Sequence, residues 1–124
     1  MNLYTRTDNN PDIEVLTKEY VWRNIRVPTG FSFDGASSPR IFWFIIPPFK
    51  RVKKAACIHD WLCRGARGRE ERKAADRAFY KALRDIKVID KKTGREKDGI
   101  SKWRCQLAYV GVRAGAYMGI GVYY

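Results

Sequence analysis

The stretch AACIHDWLCRGARGREERKAADRAFYKAL, residues 55–83, decides the fold. Its first half belongs to an apolar stripe at helical spacing: Val52, Ala55, Ala56, His59, Leu62 and Cys63. Its second half carries another: Ala75, Ala78, Phe79, Ala82, Leu83 and, just beyond, Ile86. The spacing predicts a helix from Arg51 to Arg64 that stops at Gly65, and a second from Glu70 to about Ile86. The short connection from Gly65 to Arg69 makes the two helices antiparallel neighbours. His59, late in the first helix, then meets Asp76, early in the second. A buried carboxylate is costly unless paired, and imidazole is the natural local partner.

Asp60 is turned about 100° around the helix from His59, so it does not share that contact. It faces a loop passing alongside, and the candidate is GFSFDGASS, residues 30–38. Gly30 and Gly35 let backbone carbonyls point inward, and Asp34 adds a carboxylate. Asp60, Asp34 and loop carbonyls form a hard oxygen set that suits calcium better than zinc. A histidine oriented by Asp76 takes a proton from water while such a cation polarises an ester carbonyl. No serine sits in a nucleophile elbow, since GASSP (35–39) lacks the second glycine. The structural alternative stays open. His59 can be a satisfied core residue, and Asp60 can pair with Arg40 or Arg64 and clasp the loop to the helix. Cys57, His59 and Cys63 have zinc-type chemistry, but Cys57 lies on another face and no fourth ligand accompanies them.

Composition narrows the classes. A length of 124 residues fits one domain, and 45% hydrophobic content supplies a real core. Sites that need several histidines are excluded because His59 stands alone. Three cysteines spell no disulfide framework, and MNLYTRTDNNPD (1–12) lacks a secretory apolar stretch. Both point to a reducing compartment, a cytoplasm. Residues 106–124 are largely apolar with Gly111, Gly115 and Gly119 four apart. Arg113 interrupts them and the run falls short of the ~18 residues of a span, so we expect a soluble protein with a close-packed buried helix there.

The formal net charge of +12 implies attraction to polyanions: nucleic acid, a phospholipid or other anionic surface, or an acidic partner. The bases Lys50, Arg51, Lys53, Lys54, Arg64, Arg67, Arg69, Arg72 and Lys73 form the basic stretch, without a recognised nucleic-acid motif. FWFII (42–46) reads as core or as a lipid-facing or partner-facing patch.

Elsewhere, residues 13–16 and 20–22 read as strands of a hairpin across Thr17, Lys18 and Glu19, and residues 25–27 as another extended piece. Ser38-Pro39 starts a short helix from Arg40 to Ile46 that Pro47-Pro48 stops. DKKTGREKDG (90–99) reads as a charged turn or flexible loop. Ser101 caps a last helix that buries Trp103, Leu107, Val110, Ala114 and Tyr117. The expected class is α+β: a small N-terminal antiparallel sheet, then a helical body with an antiparallel pair. A single domain over 1–124 divides into strands (1–28), loop and short helix (29–49), helical hairpin (50–87), charged loop (88–100) and C-terminal helix (101–118).

VPTGFSFDGASSPR (27–40), AACIHDWLCRG (55–65) and AADRAFYKAL (74–83) resemble a family of short phage and prophage proteins of unknown function. The same blocks are similar to the small bacterial calcium-dependent phospholipases A2, with Asp34-Gly35-Ala36-Ser37 at the loop, the His59-Asp60 doublet, and Asp76 followed by Phe79-Tyr80. That resemblance implies His59 as general base, Asp76 as its orienting group and Asp60 and Asp34 as calcium ligands. Gly30, Gly35, Ser37, Arg40 and Tyr80 become substrate or structural support. The chain departs from those enzymes in lacking their disulfides and signal. The competing expectation is a non-enzymatic phage accessory or virion protein, or a basic module that binds nucleic acid or a host protein.

Overall fold

A computed structural model describes residues 3–7, 9, 13–34 and 49–119, with the side chains of 34 and 49–51 excepted. Its elements run β1 (Thr5–Thr7), β2 (Ile13–Leu16), β3 (Tyr20–Trp22), β4 (Ile25–Val27), β5 (Ser32–Asp34), α1 (Phe49–Gly65), α2 (Arg69–Arg84), β6 (Lys87–Ile89), β7 (Glu96–Asp98) and α3 (Lys102–Tyr117). The class is α+β, small antiparallel sheets followed by three helices. The expected helix from Arg40 to Ile46, the FWFII patch, Gly35, Ser37 and Arg40 lie outside the described residues.

The N-terminal pairing differs from the expected hairpin. β2 lies at the centre of a three-stranded antiparallel sheet, with Val15 opposite Arg6 of β1 and Ser32 of β5. β3 pairs instead with β4, Tyr20 opposite Val27, across the tight Arg23–Asn24 turn. Two side-chain contacts hold that turn. Arg23, at φ 53°, reaches Asp85 at 3.1 Å, and Trp22 Nε1 donates to the same carboxylate at 3.0 Å. Gly30 takes φ +90° as the chain swings into β5, and its N–H donates to Leu16 O at 2.8 Å. A side chain is strained in that backbone conformation, so the turn favours glycine.

α2 forms where expected because its sequence suits a helix end to end. Glu70 and Glu71 occupy the first turn and Lys81 and Arg84 the last, each matching the helix dipole. Three residues, 66–68, join α1 to α2 and fold the pair antiparallel. α1 is buried on two sides. Val52 and Ala55 join Phe79, Ala82 and Leu83 of α2 and Cys105, Ala108 and Val112 of α3 in one core. Cys57 and Ile58 join Leu16, Tyr20, Val27 and Phe33 in a second core beneath the strands. Each large aliphatic side chain so buried contributes about 1.5–3 kcal/mol.

Two further expectations are corrected. Residues 90–99 are no simple loop, because β6 and β7 pair as an antiparallel hairpin with Val88 opposite Lys97. The return past α2 is close: a Cβ on Gly99 would meet Ile86 Cγ2 at 2.7 Å. α3 presents the opposite face from the one predicted. It buries Cys105, Ala108, Val112 and Gly115, while Trp103, Leu107, Val110, Ala114 and Tyr117 are exposed. Small residues win the inner face because they let α3 approach its neighbours closely. No helix among the described residues is long and apolar enough to cross a membrane.

Candidate functional site

Antiparallel packing of α1 and α2 carries His59 to Asp76 as the helical spacing requires. His59 Nε2 lies 2.7 Å from Asp76 Oδ1. Asp76 is fully buried, and the His59 side chain keeps 17% exposure. The sequence reading missed two further partners of the same carboxylate. Arg72, one turn earlier on α2, donates Nε to Oδ1 at 3.1 Å, and Arg113 of α3 donates to Oδ2 at 2.8 Å. Both carried a signal. Arg72 precedes Asp76 by four residues on the same face, and Arg113 breaks the otherwise uncharged stretch from Leu107 to Tyr117. The Arg72 counter-charge is local, an i,i+4 pair, whereas that of Arg113 is supplied only by the tertiary fold.

Burial alone would raise the pKa of Asp76. The hydrogen bond and charge from His59 and the Arg72 guanidinium outweigh it and hold the carboxyl below its ordinary value. An ionised carboxylate only accepts hydrogen bonds, so Nε2 carries the imidazole proton. In the neutral form of the ring, the lone pair is then at Nδ1. Phe79 packs on the ring with centroids 4.8 Å apart, fixing its orientation.

Cys63 Sγ lies 3.4 Å from His59 Nε2. His59, Cys63 and Asp76 are the one cluster among the described residues whose ligand atoms gather closely enough for a metal, all within 4.8 Å. The chemistry is unfavourable there. Burial pushes the Cys63 thiol up to about 12, and a cation on Asp76 would lie against Arg72 and Arg113. Cys57 stays apart in the strand-side core. All three cysteines are free thiols.

Asp60 takes no part in the His59–Asp76 contact. It pairs with Arg64 one turn on, at 3.2 Å. Arg64 in turn stacks over the Phe31 ring at 5.0 Å, and Phe31 meets Trp61 edge-on at 5.2 Å. The Gly30–Asp34 stretch is thereby fastened to α1, next to Asp60. Asp34 ends β5 with its Cα opposite Ile13. Tyr80 packs edge-on against Tyr109 of α3, with ring centroids 5.9 Å apart, while Phe79 takes the place against His59. Lys53, one of the bases of the expected basic stretch, is paired with Glu14 at 2.6 Å.

No solved structure matches the chain. It is 36% identical over 87 residues to the uncharacterized protein y4jT of Sinorhizobium fredii (strain NBRC 101917 / NGR234). The match covers 67% of this chain and 21% of that protein, so the shared segment is about a fifth of the relative's length. A family described as protein of unknown function (DUF1353) matches residues 12–112, a span that takes in both cores and every described residue of the His59–Asp76 cluster except Arg113. The chain belongs to that family.

Proposed function

We propose that this chain is a hydrolase of ester bonds, of phospholipase type and encoded by a phage or prophage, in which His59 activates water. The observation that carries the reading is the 2.7 Å contact between His59 Nε2 and a buried, ionised Asp76. With Nε2 donating to Asp76, Nδ1 is the atom left to act as base, on a side chain that keeps some exposure to solvent. Nδ1 takes a proton from water as the water oxygen bonds to the ester carbonyl carbon. Asp76 stabilises the imidazolium, which then protonates the departing alkoxide as the carbon–oxygen bond breaks. The products are a carboxylic acid and an alcohol. General-base assistance of this kind contributes about 10²–10⁴-fold.

Calcium fits the donor chemistry of Asp60, a carboxylate beside the Gly30–Asp34 stretch, with Asp34 as its expected second ligand. Arg64 has to leave Asp60 for a cation to bind, and at 42% exposure it has solvent to move into. When bound, calcium supplies a Lewis acid for the ester carbonyl.

One observation favours a second reading, a non-enzymatic accessory or virion protein. Asp76 receives bonds from α1, α2 and α3 together, so it also acts as the pin of a helical scaffold. The two arginines share its charge and weaken its hold on an imidazolium. The experiment that separates the readings is hydrolysis of a chromogenic short-chain ester and of phosphatidylglycerol vesicles, with calcium and with chelator, by the wild type and His59→Gln. Calcium-dependent turnover that drops by ~10²-fold or more in a folded His59→Gln supports the hydrolase. A folded wild type inactive on both substrates in millimolar calcium favours the scaffold. Calorimetric calcium titration beside Asp60→Asn tests the cation site by itself.

A further inference from the structure

We propose that the cavity between the start of α2 and the last turns of α3 binds a phosphate-bearing anion. It encloses about 450 Å³. Arg69, Arg72, Lys73 and Arg113 line it, with Glu70 as the one carboxylate in its wall among the described residues. Asp76 neutralises part of this charge from behind, through Arg72 and Arg113. Counting it, four cations face two carboxylates among the described residues, an excess of two positive charges.

That excess is built into the fold. Arg72 is 4% exposed and its guanidinium is fixed by Asp76, so it is ordered before any ligand arrives. Arg113 is held in the same way from the opposite helix. Arg69 and Lys73 lie one turn apart on α2, the first exposed and the second half-buried. Preorganised guanidinium groups favour phosphate, whose oxygens accept paired, charge-assisted hydrogen bonds. The volume is larger than one phosphate needs, and the exposed Tyr117 ring at the rim gives an organic substituent a surface to lie on. The chemistry is that of a phosphate ester, whose source is a free small molecule or a lipid headgroup. This assignment stands apart from the hydrolase reading, since it uses neither His59 nor Asp60.

The test is calorimetric titration of the whole chain with inorganic phosphate and with glycerol phosphate. The wild type is compared with Arg69→Gln/Lys73→Gln, whose residues do not bond Asp76, and with Lys91→Gln/Lys92→Gln, an equal charge change on the β6–β7 turn. The expected result is saturable binding weakened ~10-fold or more in the first double variant and unchanged in the second. Vesicles of phosphatidic acid in phosphatidylcholine, set against phosphatidylcholine alone, distinguish the sources. Tighter binding to the former than to glycerol phosphate, with the same dependence on Arg69 and Lys73, identifies a headgroup, and otherwise the ligand is the free ester. Absence of saturable binding at millimolar phosphate overturns the proposal. Equal weakening in both double variants, for these ligands or for duplex DNA as the only polyanion bound, overturns it too, because total charge rather than the cavity would then carry affinity.

Discussion

Asp76 and Asp98 each gather basic side chains, in opposite settings. Asp76 is bonded by Arg72, Arg113 and His59 at the meeting point of three helices, with no exposed surface. Asp98 is bonded by Arg84 and Lys87 where the β6–β7 hairpin leaves α2, and its side chain is 38% exposed. Both carboxyls are held below their ordinary pKa, Asp98 by the hydrogen bonds from Lys87 and Arg84, Asp76 by His59 and Arg72 against the opposing effect of burial. A similar list of contacts therefore carries different weight. Breaking a buried pair leaves a charge stranded away from water, whereas an exposed pair hands both partners back to solvent.

The largest expected effect follows directly. Asp76→Ala leaves Arg72, 4% exposed, without its counter-charge, and is expected to cost about 3–5 kcal/mol of stability. Urea unfolding followed by circular dichroism measures it, with Asp76→Asn as the milder change that keeps the shape and one of the two acceptor oxygens. A loss under about 1 kcal/mol would place Asp76 with the exposed pairs and erase the contrast. Arg113→Gln comes next, because His59 and Arg72 still hold the carboxylate once it is gone. A loss of about 1–3 kcal/mol is expected in the same assay. A loss equal to that of Asp76→Ala would mean that α3 depends on this one bond for its docking.

How far the sequence reveals this contrast differs from residue to residue. The His59–Asp76 contact was legible because both residues stand on apolar helical stripes joined by a short turn, so local periodicity decides it. Arg72 lies within that same local periodicity, four residues before Asp76, but Arg113 is 37 residues away and only the tertiary fold makes it a partner. α3 misled for a physical reason. Its large residues, Trp103, Leu107, Val110 and Tyr117, repeat at helical spacing and outweigh Cys105, Ala108, Val112 and Gly115 in hydrophobicity. Close packing selects for small volume, which a hydrophobic pattern does not weigh. β6 and β7 escaped because their residues are mostly charged and exposed, and the pairing depends on the tight passage of Gly99 past Ile86. The sequence marks β2 as a strand but not its neighbours, since β1 (TRT) and β5 (SFD) carry fewer apolar strand formers than the equally short β3 (YVW) and β4 (IRV).

Acid sharpens the comparison. The folded-state pKa of Asp76 lies below the ordinary 3.8, so as pH falls the unfolded chain takes up the proton first. Its stabilisation is present in full well above 3.8 and is lost as pH drops through the lowered folded value. Unfolding midpoints measured from neutral pH down to that range are expected to fall less steeply in Asp76→Asn than in the wild type, at low and high salt alike. Parallel curves for the two proteins would show that Asp76 is protonated at the same pH folded and unfolded, and the buried ion cluster would lose its energetic meaning.

Asp98→Asn is expected to have the smallest effect, and salt gives it a distinct signature. The hairpin does not need this carboxylate for its place. Gly99 N–H donates to Ile86 O at 2.8 Å, and Ile100, 3% exposed, anchors the chain in the helical core immediately afterwards. Arg84 and Lys87 remain within reach of water when Asp98 is neutralised, so no charge is stranded. What is lost is attraction across solvent, which mobile ions screen within about 8–10 Å at ordinary ionic strength. The variant should therefore unfold slightly earlier than the wild type in low salt and together with it in molar salt. A deficit that persists in molar salt, comparable to that of Asp76→Asn, would show that burial is not what separates the two carboxylates.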